Sequence, residues 1–206
     1  MPGSVRTWRW GEDLAELRRL VERGGVAAIP SESSYGLGAD PRNPHGVAAI
    51  YDLKGREAGK PLPVVAADLE QIAALGIDPE DPAVAAASRC WPAPLTVIAP
   101  LTRALPAAAG GKTLAVRIPA HDRLRALLAE LSTALTATSA NAAGAAPILD
   151  PGELEPLLRG SDAFVVDDGL LPGGPPSTLV EWHDGGFKVL RAGAFPPSRL
   201  HEEVGV

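Results

Sequence analysis

Short apolar runs without polar alternation recur along this chain. Between them stand segments whose apolar residues lie three and four positions apart. Val26-Ala27-Ala28-Ile29 is the first such run. A strand with no polar face is buried on both sides, which requires other layers above and below its sheet. Alternation of such strands with amphipathic helices is the signature of an α/β fold. A hairpin near the end of the chain makes the expected sheet mixed.

The helical pattern predicts helices over Glu12–Arg23, Pro44–Leu53, Asp68–Leu75, Asp81–Cys90, His121–Leu131 and Pro151–Leu158. Leu124, Leu127, Leu128 and Leu131 give the clearest apolar face. Asp150 is the expected N-cap of the last of these helices. Strands are predicted over Val26–Ile29, Leu62–Ala66, Leu95–Ala99, Leu114–Ile118, Leu135–Thr138, Phe164–Val166, Ser177–Trp182 and Phe187–Leu190. Asp184-Gly185-Gly186 supplies the turn between the last two. No repeat and no linker interrupts the pattern, so residues 1–206 are read as one domain.

Composition excludes several functions. The formal net charge is −6, which disfavours non-specific nucleic-acid binding, although a local basic patch remains compatible with it. Cys90 is the only cysteine, so an internal disulfide and a multi-cysteine zinc site are excluded. The histidines His45, His121, His183 and His201 are scattered and form no paired metal motif. The N-terminus lacks a long apolar segment, and no apolar run approaches the ~20 residues of a membrane span. The expectation is a soluble cytoplasmic protein with no cysteine- or histidine-based metal site.

In open α/β sheets, ligands sit at the carboxyl ends of strands. Polar residues gather at those ends here. Pro30 to Gly38 reads PSESSYGLG and follows the first strand. Arg117 follows the run Leu114–Val116, Thr138-Ser139-Ala140-Asn141 follows Leu135–Ala137, Ser177 opens one late strand, and Arg191 closes the last. Lys54-Gly55-Arg56-Glu57-Ala58-Gly59-Lys60 concentrates three positive charges beside two glycines. That suits a polyphosphate, and it equally describes a solvated basic loop. No Walker A motif, complete GxGxxG or GxSxG elbow is present. These residues alone point to a phosphate-bearing small molecule.

Together the clusters resemble the YrdC-like family of threonylcarbamoyl-adenylate synthases. The family motif PTETVYGLG is similar to Pro30–Gly38. KxRP…PL is similar to Lys54-Gly55-Arg56 with Lys60-Pro61-Leu62, and WPGPLT to Trp91-Pro92-Ala93-Pro94-Leu95-Thr96. VRxP is matched at Val116–Pro119, SAN at Ser139–Asn141, PST at Pro176–Thr178 and RxG at Arg191–Gly193. The matching region runs from about 26 to 195. The resemblance implies a single twisted mixed α/β domain with flanking helices and a large concave cleft. It is similar to the short, single-domain form.

The resemblance also implies a reaction. L-threonine, bicarbonate or CO2, and ATP give threonylcarbamoyl-AMP and pyrophosphate, with Mg2+ on the nucleotide. A partner transferase then modifies the adenosine beside the anticodon of tRNA, and direct tRNA contact is a further expectation. By resemblance, Lys54 and Arg56 are catalytic, and with Lys60, Ser139, Asn141 and Arg191 they bind ATP. Ser31, Ser33, Tyr35, Arg117 and Ser177 bind threonine, with Gly36 and Gly38 letting the chain turn beneath the pocket. The chain departs from the pattern at Ser31 and Ser33, where the family has threonine. It also lacks a histidine after Pro61-Leu62, and hydroxyls after Asn141. A carbamoyl-adenylate enzyme using another amine, and a non-catalytic RNA-binding module, therefore stand as alternatives.

Overall fold

A computed structural model describes residues 4–55, 59–142 and 144–204. The chain begins β1 (Val5–Arg9), α1 (Ala15–Glu22), β2 (Val26–Pro30), β3 (Tyr35–Gly38), α2 (Pro44–Lys54) and β4 (Val64–Val65). It continues α3 (Leu69–Ala74), α4 (Pro82–Ser88), β5 (Leu95–Pro100), β6 (Thr113–Arg117), α5 (Asp122–Leu131), β7 (Leu135–Thr136) and β8 (Thr138–Ser139). Last come α6 (Glu155–Leu158), β9 (Ala163–Asp167), β10 (Thr178–His183), β11 (Gly186–Arg191) and α7 (Pro197–Val204).

The expectation of one mixed sheet is corrected to two. One has five strands in the order β1-β9-β2-β3-β8, and the other has six in the order β11-β10-β5-β6-β4-β7. Both combine parallel and antiparallel pairs. The division occurs inside a segment that reads as one strand. Leu135–Thr136 pairs with β4, whereas Thr138–Ser139 pairs with β3. Thr136 secures the crossing. Its hydroxyl accepts from the Ala39 N–H at 3.0 Å and donates to the Leu37 carbonyl at 3.2 Å. The Ala137 N–H reaches the Pro63 carbonyl at 2.7 Å.

A second correction concerns Tyr35–Gly38. These residues do not turn beneath a pocket; they form β3, antiparallel to β2, with Ser31–Ser34 as the connection. The two glycines serve close approach instead. A Cβ on Gly36 would meet the Thr138 carbonyl at 3.2 Å, and one on Gly38 would meet the Thr136 carbonyl at 3.2 Å. β1 is also absent from the sequence reading. Its residues, Val-Arg-Thr-Trp-Arg, show no regular apolar alternation, and its partner β9 is more than 150 residues away.

β2 is buried throughout, as its composition requires. Val26 and Ala28 face the larger core, with Tyr35, Leu37, Ile50, Leu62 and Val97 among its members. Ala27 and Ile29 face the opposite side, where α1 contributes Leu17, Leu20 and Val21 and α5 contributes Leu124, Leu127, Leu128 and Leu131. This opposition follows from the two-residue period of a strand. Helix starts follow the expected chemistry. Asn43 accepts from the N–H groups of His45 and Gly46, Asp68 from Gln71, and Asp81 from Ala83. Asp150 caps a short 3-10 turn, Pro151–Glu153, that precedes α6. Asp184 and Gly185, with φ of 48° and 84°, form the two-residue turn between β10 and β11. Among the described residues, no helix is long and apolar enough to cross a membrane.

Candidate active site

A cavity of about 500 Å³ is lined by residues from both sheets. The β2–β3 connection contributes Ser31, Ser33 and Ser34, β6 contributes Arg117, and β8 contributes Ser139. Thr96 comes from β5, Ser177 precedes β10, and Arg191 ends β11. Strand pairing sets this convergence. β5 lies between β6 and β10, and β10 pairs with β11, so Thr96, Arg117, Ser177 and Arg191 arise from four neighbouring strands.

One end of the cavity carries guanidinium groups. Ser177 Oγ lies 2.8 Å from Thr96 Oγ1, and Arg191 Nη2 donates to the Ser177 carbonyl at 2.9 Å. Burial, then the nearby Arg117 charge, lowers the Arg191 pKa. Arg117 Nη1 donates to both oxygens of Glu32 at 2.6 Å. Glu32 also accepts from the Ala120 N–H at 2.8 Å. Burial pushes the Glu32 carboxyl up. The Arg117 charge and the hydrogen bonds outweigh it and leave the carboxyl below its ordinary pKa. Glu32 sits inside PSESSYGLG but is absent from the sequence-derived site. The available signal was that a strand-end arginine in a buried setting needs a carboxylate.

The hairpin connection is closed by its own serines. Ser31 Oγ donates to the Ser34 carbonyl at 2.7 Å. The Ser33 carbonyl accepts from the Gly173 N–H at 3.0 Å, which ties the late Pro/Gly loop to the cavity rim. Tyr35 is fully buried. Its hydroxyl donates to the Gly169 carbonyl at 2.9 Å and accepts from the Asp168 N–H at 3.1 Å. Burial first, with nearby Asp167, Asp168 and Asp150, pushes its pKa up to about 12.

The other end is built on Ser139-Ala140-Asn141. Lys54 is buried, with its Nζ donating to the carbonyls of Ser139 at 2.5 Å and Asn141 at 3.0 Å and to Asn141 Oδ1 at 3.2 Å. Ser139 Oγ donates to Asn141 Oδ1 at 2.6 Å, and Asn141 Nδ2 donates to the Ala145 carbonyl at 2.5 Å. Lys54, Ser139 and Asn141 are thus brought together. Only Ser139 of the three lines the cavity. Lys60 is exposed and lies outside the lining, and its carbonyl accepts from Tyr51. Arg56 lies outside the described residues. Among the described residues, no three His, Cys, Asp or Glu side chains cluster to hold a metal.

The Sua5/YciO/YrdC family, described as telomere recombination, matches residues 19–193. The chain belongs to that family. A threonylcarbamoyl-AMP synthase of Thiobacillus denitrificans is 37% identical over 178 residues, which cover 85% of this chain and 93% of that protein. One from Pyrococcus abyssi is 30% identical over 90% of this chain but only 55% of its own length. The crystal structure of P. abyssi Sua5 complexed with L-threonine has a TM-score of 0.84 at 28% identity, covering 98% of this chain and 61% of that one. E. coli YciO shares the fold, with a TM-score of 0.78 at 22% identity. The family therefore includes proteins of about this length and longer ones.

Proposed function

We propose that this chain condenses L-threonine, CO2 and ATP into threonylcarbamoyl-AMP, releasing pyrophosphate. The observation that carries the reading is one cavity joining an arginine- and hydroxyl-lined end to the Ser139–Asn141 loop held by Lys54. The name shared by family relatives supports the same reaction.

The chemistry needs no enzyme nucleophile. The threonine ammonium loses a proton to solvent, the free amine attacks CO2 to form the N–C bond, and a second proton leaves the nitrogen to give the carbamate. A carbamate oxygen then attacks the α-phosphorus, and the bond to the bridging oxygen breaks as pyrophosphate leaves. Holding the carbamate in line with that phosphorus is a proximity effect that can supply about 7–11 kcal/mol. Arg117 grips the threonine carboxylate through the guanidinium edge that Glu32 leaves open. Ser33, Tyr35 and Ser177 shape the amino-acid pocket, and Ser31 closes its hairpin. Ser139 and Asn141 receive the nucleotide. Lys54, Arg56 and Lys60 offset phosphate charge. Arg191, beside Ser177, stands where amino acid and α-phosphate meet. Mg2+ enters as part of the MgATP substrate. The adenylate then passes to a transferase acting on tRNA.

The smaller hydroxyls Ser31 and Ser33 favour a second amine as an alternative acceptor. One experiment separates the readings. Purified protein is incubated with MgATP, bicarbonate and each amino acid in turn, and products are identified by mass spectrometry. A bicarbonate-dependent carbamoyl-threonine adenylate is expected. The same adenylate with another amine reassigns the substrate, and no pyrophosphate release with any amine refutes the enzymatic reading.

A further inference from the structure

Glu32 is a partly buried carboxylate beside the cavity, yet it is absent from the cavity lining, whereas Arg117 and Arg191 both line it. It therefore backs Arg117 from behind. Both of its oxygens engage Arg117 Nη1, and one also engages the Ala120 N–H at the start of the turn into α5. The side chains of Arg117 and Glu32 are 11% and 19% exposed, so water screens the pair weakly. Arg117 Nε and Nη2 make no hydrogen bond among the described residues, which leaves one guanidinium edge for a ligand.

We propose that Glu32 is a positioning residue that sets the charge of the amino-acid end, restricting it to a monoanionic carboxylate. The inference rests on the function proposed above. Two guanidiniums face this end and one carboxylate stands behind them, which leaves a single net positive charge. The α-carboxylate of an amino acid satisfies it, with the amine directed away toward CO2. A second carboxylate on the side chain brings an uncompensated negative charge to this end, and like-charge contacts in a poorly screened site are costly. The carbamate differs, because it forms on the amine and is consumed at the α-phosphorus. Glu32 is not the base that frees the threonine amine. A carboxyl held below its ordinary pKa is a weak proton acceptor at neutral pH.

The test compares the wild type with Glu32→Gln, which keeps the shape and removes the charge. L-threonine and L-aspartate binding are measured by calorimetry, and adenylate formation is measured with each. The wild type is expected to bind threonine and reject aspartate. In Glu32→Gln, the threonine-over-aspartate preference should fall about tenfold or more, with the ATP requirement unchanged. Glu32→Asp retains the charge but withdraws one methylene. It should weaken threonine binding while still rejecting aspartate, and it serves should the glutamine variant not fold. A folded Glu32→Gln whose preference is unchanged overturns the proposal, even if both affinities fall together. So does a Glu32→Asp variant with unaltered threonine binding. Failure of the wild type to make any threonine adenylate refutes the function instead. Calorimetry with acetate and succinate then decides the charge-setting role by itself.

Discussion

Replacing Gly193 with alanine should damage the cavity wall as well as the fold. Gly193 follows Arg191 by two residues and packs directly on the segment that carries Ser177. A Cβ there would stand 2.1 Å from the Pro176 carbonyl oxygen, and 2.6 and 2.7 Å from the carbonyl carbon and oxygen of Ser177. Those atoms are backbone, so no side chain can swing aside. Restoring van der Waals separation requires a withdrawal of roughly 1 Å or more. The segment is pinned against that movement. The Ala194 N–H donates to the Pro176 carbonyl at 2.8 Å, the Thr178 N–H to the Pro94 carbonyl at 2.9 Å, and the Gly193 N–H to Thr178 Oγ1 at 3.0 Å.

Overpacking of this kind costs about 1–3 kcal/mol. For a chain of this size that lowers Tm by about 2–12 °C. The functional cost should reach the upper end of that range. Ser177 Oγ is 2.8 Å from Thr96 Oγ1, and its carbonyl holds Arg191. A displacement near 1 Å at a positioning group can cost about a hundredfold in rate, or about 2.7 kcal/mol. Denaturant unfolding and threonine-dependent pyrophosphate release, measured on the same preparation, give both numbers. A Gly193→Ala protein with wild-type Tm and wild-type kcat/KM for threonine would refute the reasoning.

Lys54→Ala should lower turnover by about 10²–10³ and cost about 1–3 kcal/mol of stability, because the Ser139 and Asn141 carbonyls lose a buried donor; unchanged kinetics would remove Lys54 from the site. Arg56→Ala should also reduce turnover sharply, read by the same pyrophosphate assay. Arg117→Ala should raise the threonine requirement far more than the ATP requirement, and equal effects would make Arg117 structural. It also strands Glu32, whose depressed pKa contributes stability above the unfolded value of 4.5 and loses it as pH falls through the folded value. The stability gap between Arg117→Ala and wild type should therefore narrow below pH 4.5, as followed by thermal melts. Tyr35→Phe should remove the tyrosine that ionises near pH 12 in a spectrophotometric titration. In the wild type, the stability held by neutral Tyr35 is complete below pH 10 and is lost toward about pH 12, by at most about 2.7 kcal/mol.

The sequence was most legible where local chemistry decides structure. The leucine register of α5, the Asp-Gly hairpin and the all-buried β2 follow from periodicity and turn residues. The two-sheet architecture was not legible. Leu135 to Thr138 has the pattern of one strand, and its division depends on Thr136 bonding to Leu37 and Ala39, nearly 100 residues away. β1 was missed because its partner β9 supplies the reason for its conformation. Several motif segments contribute to one cavity, but the motifs did not assign their atoms. Glu32 was passed over because a carboxylate among serines reads as surface until its arginine partner is seen.

Motif residues here divide into those that build the cavity and those that face it, and the division bears on substrate choice. Within WPAPLT, the Trp91 indole N–H donates to the Leu95 carbonyl at 2.7 Å, whereas Thr96 faces the cavity. Within SAN, Asn141 fastens the loop while Ser139 lines the cavity. The two serines that stand where the resembled motif has threonine both line the cavity, but their hydroxyls differ. Ser31 Oγ is committed to the Ser34 carbonyl, a bond that either hydroxyl residue can make. Ser33 lines the cavity, and its hydroxyl makes no hydrogen bond among the described residues. A methyl at either position would take space from the cavity, but only the Ser33 hydroxyl is left to meet a substrate. Ser33→Thr should therefore shift the choice among small amino acids more than Ser31→Thr does. Competition between threonine and serine in the adenylate assay distinguishes the two variants, and an equal response from both would mean that the hairpin acts as one unit.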